Sequence, residues 1–102
     1  MFDDLKDRAV VITGGVTGIG GAASLAFAAA GARVLAQYLG GIEEAKKMEA
    51  AGIATLQLDL TEPDAPAMLM AEARKKLGRI DVMVNNAGSL VARTLLEDVD
   101  DP

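Results

Sequence analysis

The run Thr13-Gly-Gly-Val-Thr-Gly-Ile-Gly20 offers chemistry that needs no reactive side chain. A loop that leaves a buried strand and opens a helix presents unpaired backbone N–H groups, reinforced by the helix dipole, to an anion. Glycines let a pyrophosphate approach that backbone with no Cβ in the way, so a dinucleotide is the guest such a loop suits. Two registers compete. Gly18, Gly20 and Ala23 fit G-x-G-x-x-A, while Gly14, Gly18 and Gly20 fit G-x-x-x-G-x-G. The shorter fingerprint places its first glycine directly after the strand, and here the β-branched run ends at Thr13. The longer register from Gly14 is the better fit. The competing explanation is a tight helix–sheet contact in which small residues merely let the two elements come close.

Other chemistry is sparse. The chain has no Cys and no His, which excludes thiol chemistry, disulfides, zinc sites of Cys/His type and imidazole acid–base catalysis. A metal would have to be a hard cation on carboxylates, and no metal site is expected. Asp59 closes a short apolar run, where a carboxylate can serve as a hydrogen-bond acceptor or cap a helix. Asn85 and Asn86 follow another such run, where short amides commonly tie loops to strand ends.

Four strands and three helices must position these groups. "AVVIT" (9–13) is short, β-branched and non-alternating, as in a strand buried on both faces of a parallel sheet. A helix is expected from Gly18 to Ala30, with Gly31 at its C′ position. "ARVLAQYL" (32–39) reads as a second strand and "GIEEAKKMEAAG" as a helix ending at Gly52. "ATLQLDL" (54–60) reads as a third strand. In "TEPDAPAMLMAEARKKLG", Thr61 is a candidate N-cap, the prolines fall in the first turn and the basic residues gather before Gly78. "IDVMV" (80–84) is a fourth strand leading into "NNAGS". Alternating strands and helices give an α/β, Rossmann-like parallel sheet with helices on both faces and right-handed crossovers.

At 102 residues, 51% hydrophobic and 25% charged, the chain suits one compact domain, 1–102. A net charge of −5 gives no electrostatic grip on nucleic acid or an anionic membrane. The charged N-terminus and the lack of a long apolar run place the chain in the cytoplasm as an expectation. "EEAKK" reads as a solvated helix face, Met68, Met70 and Met83 as core filler, and the acidic "EDVDD" as a frayed end or helix start.

Taken together, "TGGVTGIG" (13–20), "LDLT" (58–61) and "LGRIDVMVNNAG" (77–88) resemble, in order and spacing, the N-terminal half of the short-chain dehydrogenase/reductase family. The likeness covers essentially the whole chain. It implies a half-fold of strand order 3-2-1-4, with Gly14, Thr17, Gly18, Ile19 and Gly20 around the pyrophosphate and adenosine ribose. By the same resemblance Asp59 bonds the adenine amine, Leu60 lines that pocket, Asn86, Ala87 and Gly88 line the ribose side of the cleft, and Asn85 holds the sheet together. Activity in the family is hydride transfer between NAD(P)H and an alcohol, ketone or oxoacyl substrate.

The cofactor expected is NADP rather than NAD. NAD is read by a carboxylate at the end of the second strand, about twenty residues past the glycines, and Gln37 or Tyr38 fills that position here. No Asp or Glu occurs between Asp7 and Glu43. The basic residue that NADP-preferring relatives carry before the second glycine is replaced by Thr17, and Arg33 lies at the wrong end of its strand.

The family's catalytic Ser and Tyr-x-x-x-Lys have no counterpart. The one tyrosine, Tyr38, is followed four residues on by Ile42, and neither Ser24 nor Ser89 matches the family's serine. An unassisted phenol titrates near 10 and is a poor base at neutral pH. The expectation is therefore a cofactor-binding domain cut before its catalytic half, inactive alone, that takes a small-molecule substrate only in a longer enzyme. Its open fourth strand would favour self-association into a homo-oligomer. A non-catalytic dinucleotide-binding module and a vestigial assembly fragment are the alternatives. Gly21 has no assigned role and carries a helix-propensity cost of about 1 kcal/mol.

Overall fold

The computed structural model describes residues 2–86. A 3-10 turn (Phe2–Leu5) precedes β1 (Ala9–Thr13), α1 (Gly18–Ala29), β2 (Arg33–Tyr38), α2 (Ile42–Ala50), β3 (Ala54–Gln57), α3 (Ala65–Leu77) and β4 (Val82–Asn85). The strands form one sheet in the order β3-β2-β1-β4, parallel throughout, with Val10 of β1 level with Val34 of β2 and Val82 of β4. This is the 3-2-1-4 half-fold expected.

Every residue of β1 is buried, which explains why "AVVIT" does not alternate: successive side chains enter different cores. Val10 and Ile12, with Val34, Ala36 and Tyr38 of β2, pack on Ala45 and Met48 of α2 and on Ala23 and Phe27 of α1. Val11 and Leu35 face the other way, against Leu69, Met70, Ala73 and Leu77 of α3. Thus α1 and α2 cover one face while the chain steps outward from β1 to β3. Helix α3 covers the other as the chain returns to lay β4 beside β1. The order reverses between β1 and β4, and ligands of open α/β sheets bind at the carboxyl ends of the strands beside such a reversal.

Three sequence expectations need correction. Thr61 does not cap α3: its N–H and hydroxyl both donate to Asp59 Oδ1, at 2.9 and 2.6 Å. The carboxylate two residues back has captured both donors in a turn, and the helix starts at Ala65 with Pro66 in its first turn, where a missing N–H costs nothing. β3 ends at Gln57; only the Leu58 N–H carries pairing further, to Tyr38 O at 2.9 Å. Met68 is 52% exposed while Met70 is buried, because two residues along a helix turn the side chain to nearly the opposite side.

At the amino end of the sheet Asp81 clamps β4 to β1. Its Oδ2 accepts from the Ala9 N–H and from Arg79 Nε, both at 2.8 Å, and its own N–H donates to Ala9 O at 2.8 Å. The Ala9 N–H foremost, then the Arg79 guanidinium, hold this carboxyl below the usual aspartate range. A carboxyl lowered in the folded state adds stability that is complete above the ordinary carboxylate range and disappears as pH falls through its lowered value. Asp81→Asn is expected to melt at a lower temperature than the parent at pH 7 and to lose part of the acid-dependent fall in melting temperature, read by circular dichroism between pH 7 and 2.

Candidate functional site

Helix α1 opens without a cap. Thr17 precedes it in an extended conformation, its side chain makes no capping bond, and the first turn holds no acidic residue. The Gly21 N–H reaches Thr17 O at 2.9 Å, but the N–H groups of Gly18, Ile19 and Gly20 have no acceptor among the described residues. Thr17, Gly18 and Ile19 are exposed, Ile19 by 82%. A helix start with neither cap nor carboxylate is an open position for an anion.

Missing Cβ atoms bring that helix start onto the end of β1. A Cβ on Gly20 would lie 1.9 Å from Gly14 O, and one on Gly15 would lie 2.8 Å from Ile12 O and 2.9 Å from Ala36 Cβ. Gly20 therefore makes room for the protein's own carbonyl, and what it can offer an anion is its N–H. Gly21 also serves the packing, since a Cβ there would stand 2.9 Å from Val16 O. Gly18 differs, with φ +55° and nothing within 4 Å of its absent Cβ. It alone of these glycines faces outward. Below them the fully buried Ser24 hydroxyl sits 2.7 Å from Gly15 O and 3.0 Å from Gly20 O, ready to donate to either.

Gln37 is not free to read a ribose. Buried to 3% exposure, it accepts the Gly14 N–H on Oε1 at 2.9 Å and donates from Nε2 to Leu58 O at 2.7 Å. Its backbone carbonyl takes the Gly15 N–H at 2.8 Å. The side chain spans from the glycine loop to the end of β3 and is fully committed there. Tyr38 turns to the opposite face and packs with Val34, Ala36 and Met48. The structure gives Gln37, counted among the cofactor contacts by sequence reasoning, a loop-bracing role which that reading missed. The available signal was a lone amide inside an apolar strand, because a buried amide must find partners.

At the end of β3, Leu60 packs into the core under α3. Asp59 is half-buried and its Oδ1 is taken by Thr61, whose hydroxyl first and N–H second hold the carboxyl below its usual range. Its Oδ2 makes no hydrogen bond among the described residues. Asp59 therefore caps a turn and not α3, and keeps one oxygen available. At the end of β4, Thr13 Oγ1 donates to Asn85 Oδ1 and accepts from the Asn86 N–H, both at 2.9 Å, so Asn85 joins β4 to β1 as expected. Asn86 Nδ2 reaches Gly14 O at 3.3 Å. The structure thus brings Gly14, Gly20 and Asn86 together beside the open helix start, with Asp59 and Leu60 across the Gln37 bridge. Ala87 and Gly88 lie outside the described residues. Among the described residues no group of three or more acidic side chains could hold a metal, and no helix is long and apolar enough to cross a membrane.

A glycine loop between a buried parallel strand and an uncapped helix, set where the strand order reverses, defines the mononucleotide-binding half of a doubly wound α/β protein. Residues 8–101 match the family model described as short chain dehydrogenase, and the chain belongs to that family, whose members bind NAD(P). It is 41% identical over 97 residues to an uncharacterized oxidoreductase of Mycobacterium tuberculosis, covering 90% of this chain and 37% of the relative. To the acetoacetyl-CoA reductase of Shinella zoogloeoides it is 44% identical over 82 residues, covering 79% and 34%. Among solved structures, a mutant short-chain dehydrogenase/reductase of Serratia marcescens superposes with a TM-score of 0.77 at 27% identity, covering 83% and 37%. The chain thus spans about a third of the length of these relatives.

The two kinds of glycine should separate in stability measurements. Gly20→Ala forces a methyl into a carbonyl and should lose about 2–3 kcal/mol. Gly18→Ala meets open space and only backbone strain, about 1 kcal/mol. Gln37→Leu strands the Gly14 N–H and the Leu58 carbonyl and should lose at least about 2 kcal/mol. Urea unfolding midpoints of the three variants check this ranking.

Proposed function

We propose that this chain is the cofactor-binding domain of an NAD(P)-dependent short-chain oxidoreductase, one Rossmann-like unit over residues 1–102. The observation that carries the reading is the set of three unpaired N–H groups at the uncapped start of α1. A nicotinamide dinucleotide bound there supplies hydride chemistry. The N–H groups of Gly18, Ile19 and Gly20 donate to the pyrophosphate oxygens, and Gly18 and Thr17 leave the approach clear. The free Oδ2 of Asp59 accepts from the adenine amine, with Leu60 as the apolar floor. By the family resemblance Asn86, Ala87 and Gly88 are assigned to the ribose. Gln37 acts indirectly, by fixing the Gly14 amide.

The substrate class is an alcohol or ketone, with an oxoacyl thioester suggested by the likeness to an acetoacetyl-CoA reductase. These 102 residues hold no tyrosine followed four residues later by lysine. The chain by itself is therefore a binding unit, active only with catalytic groups from elsewhere. Self-association along β4, a cytoplasmic location and no nucleic-acid or membrane partner complete the proposal.

NADP is the preferred cofactor, on the ground that no carboxylate ends β2 to repel a 2′-phosphate. Titration of the chain with NADPH and NADH, followed by the fluorescence of the reduced nicotinamide, should give the lower Kd for NADPH. Equal or tighter NADH binding overturns that preference, and no response to either overturns the site. Asp59→Ala should weaken both cofactors alike, by roughly three- to tenfold.

A further inference from the structure

The usual reader of the adenosine ribose is a carboxylate at the end of the second strand, and here Gln37 and Tyr38 are both turned inward. A carboxylate nevertheless reaches the same mouth from another element. Glu44 stands in the first turn of α2, and its Oε2 lies 3.3 Å from the point where a Cβ on Gly41 would sit. Thr17 Cγ2 lies 3.0 Å from that same point. Thr17 is the residue from which the uncapped α1 starts. The turn between β2 and α2, the glycine loop and the Glu44 carboxylate therefore converge at Gly41.

The charge at this mouth is not neutralised. Glu44 makes no ion pair and no hydrogen bond among the described residues, whereas its neighbour Glu43 is drawn to Lys46 at 3.6 Å. The arginines of the described chain all sit at the opposite, amino end of the sheet. Arg8 and Arg79 meet Asp81 there, Arg33 donates to the carbonyls of Asp7 and Leu77, and Arg74 lies in the last turn of α3.

We infer that Glu44 limits how strongly this chain prefers NADP over NAD. Its carboxylate can accept from a free ribose hydroxyl and repels a 2′-phosphate, which carries about two negative charges near neutral pH. The empty end of β2 opens the site to NADP, and Glu44 limits how far that preference extends. The inference rests on the dinucleotide reading above. It moves the determinant of specificity from the strand end to the following helix.

The test is the ratio of Kd values for NADPH and NADH, measured on the full chain and on Glu44→Gln and Glu43→Gln. Glu44→Gln should tighten NADPH at least threefold while NADH moves less than twofold, and Glu43→Gln should leave the ratio where it was. In the parent chain, raising salt should tighten NADPH relative to NADH, because screening weakens a repulsion; this readout needs no substitution. An unchanged ratio in Glu44→Gln with both cofactors still binding, or an equal shift in Glu43→Gln, overturns the assignment but leaves the site intact. Failure of the parent chain to bind either cofactor removes both the site and the inference.

Discussion

The arrangement depends on one close approach: the first turn of α1 lies directly on the end of β1, backbone against backbone. With Gly20 over the Gly14 carbonyl, Gly15 over Ile12 and Gly21 over Val16, no side chain separates helix from strand. Ser24, fully buried, closes the contact with a hydroxyl on the loop carbonyls. Because the contact is this tight, the helix start presents its N–H groups at the carboxyl end of β1, with the exposed Gly18 at the front. The alanines further along α1 let Ala23 and Phe27 settle against Val10, Ile12 and Ala36. The small side chains of residues 14–32 are therefore mainly a packing device, and the anion position is what that packing leaves open.

The two ends of the sheet are fixed by different means, in keeping with what each must allow. At the amino end a charged side chain works as a clamp, because Asp81 can take the Ala9 N–H and still be neutralised by Arg79. A charged clamp at the carboxyl end would put a carboxylate or a cation beneath the anion position. There the joints are neutral: the Gln37 amide between Gly14 and Leu58, and the Thr13 hydroxyl between Asn85 and Asn86. Neutral amides and hydroxyls satisfy the loop's polar groups without altering the field that three unpaired N–H groups create.

Most of the fold was legible because parallel strands buried on both faces read as short apolar runs and their helices end at glycines. β1, α1 and β2 fall within a residue or two of where the patterns put them, and the strand order followed from the family resemblance. What could not be read was which partner a polar residue would choose. Thr61 and Asp59 are two residues apart in either account, and nothing local says whether the threonine caps the next helix or is captured by the aspartate behind it. Gln37 sits where a ribose reader belongs, and only its distance to Leu58 shows that the amide is already spent. The role of Gly21 was hidden for the same reason, since a contact with Val16 O is a property of the folded loop and not of helix propensity.

A cradle made of backbone amides also constrains where specificity can reside. Three N–H groups and a helix dipole favour a pyrophosphate of any dinucleotide, and an adenine held by one carboxylate oxygen is common to NAD and NADP. Discrimination must therefore come from a side chain that faces the ribose. In this chain the strand end that normally supplies it is committed to holding the loop. The next element to reach the mouth is the first turn of α2, where a carboxylate is stabilised by the helix N-terminus and tolerates solvent. On the proposed reading, committing Gln37 to the architecture leaves the tuning of cofactor preference to a residue that takes no part in holding the sheet together.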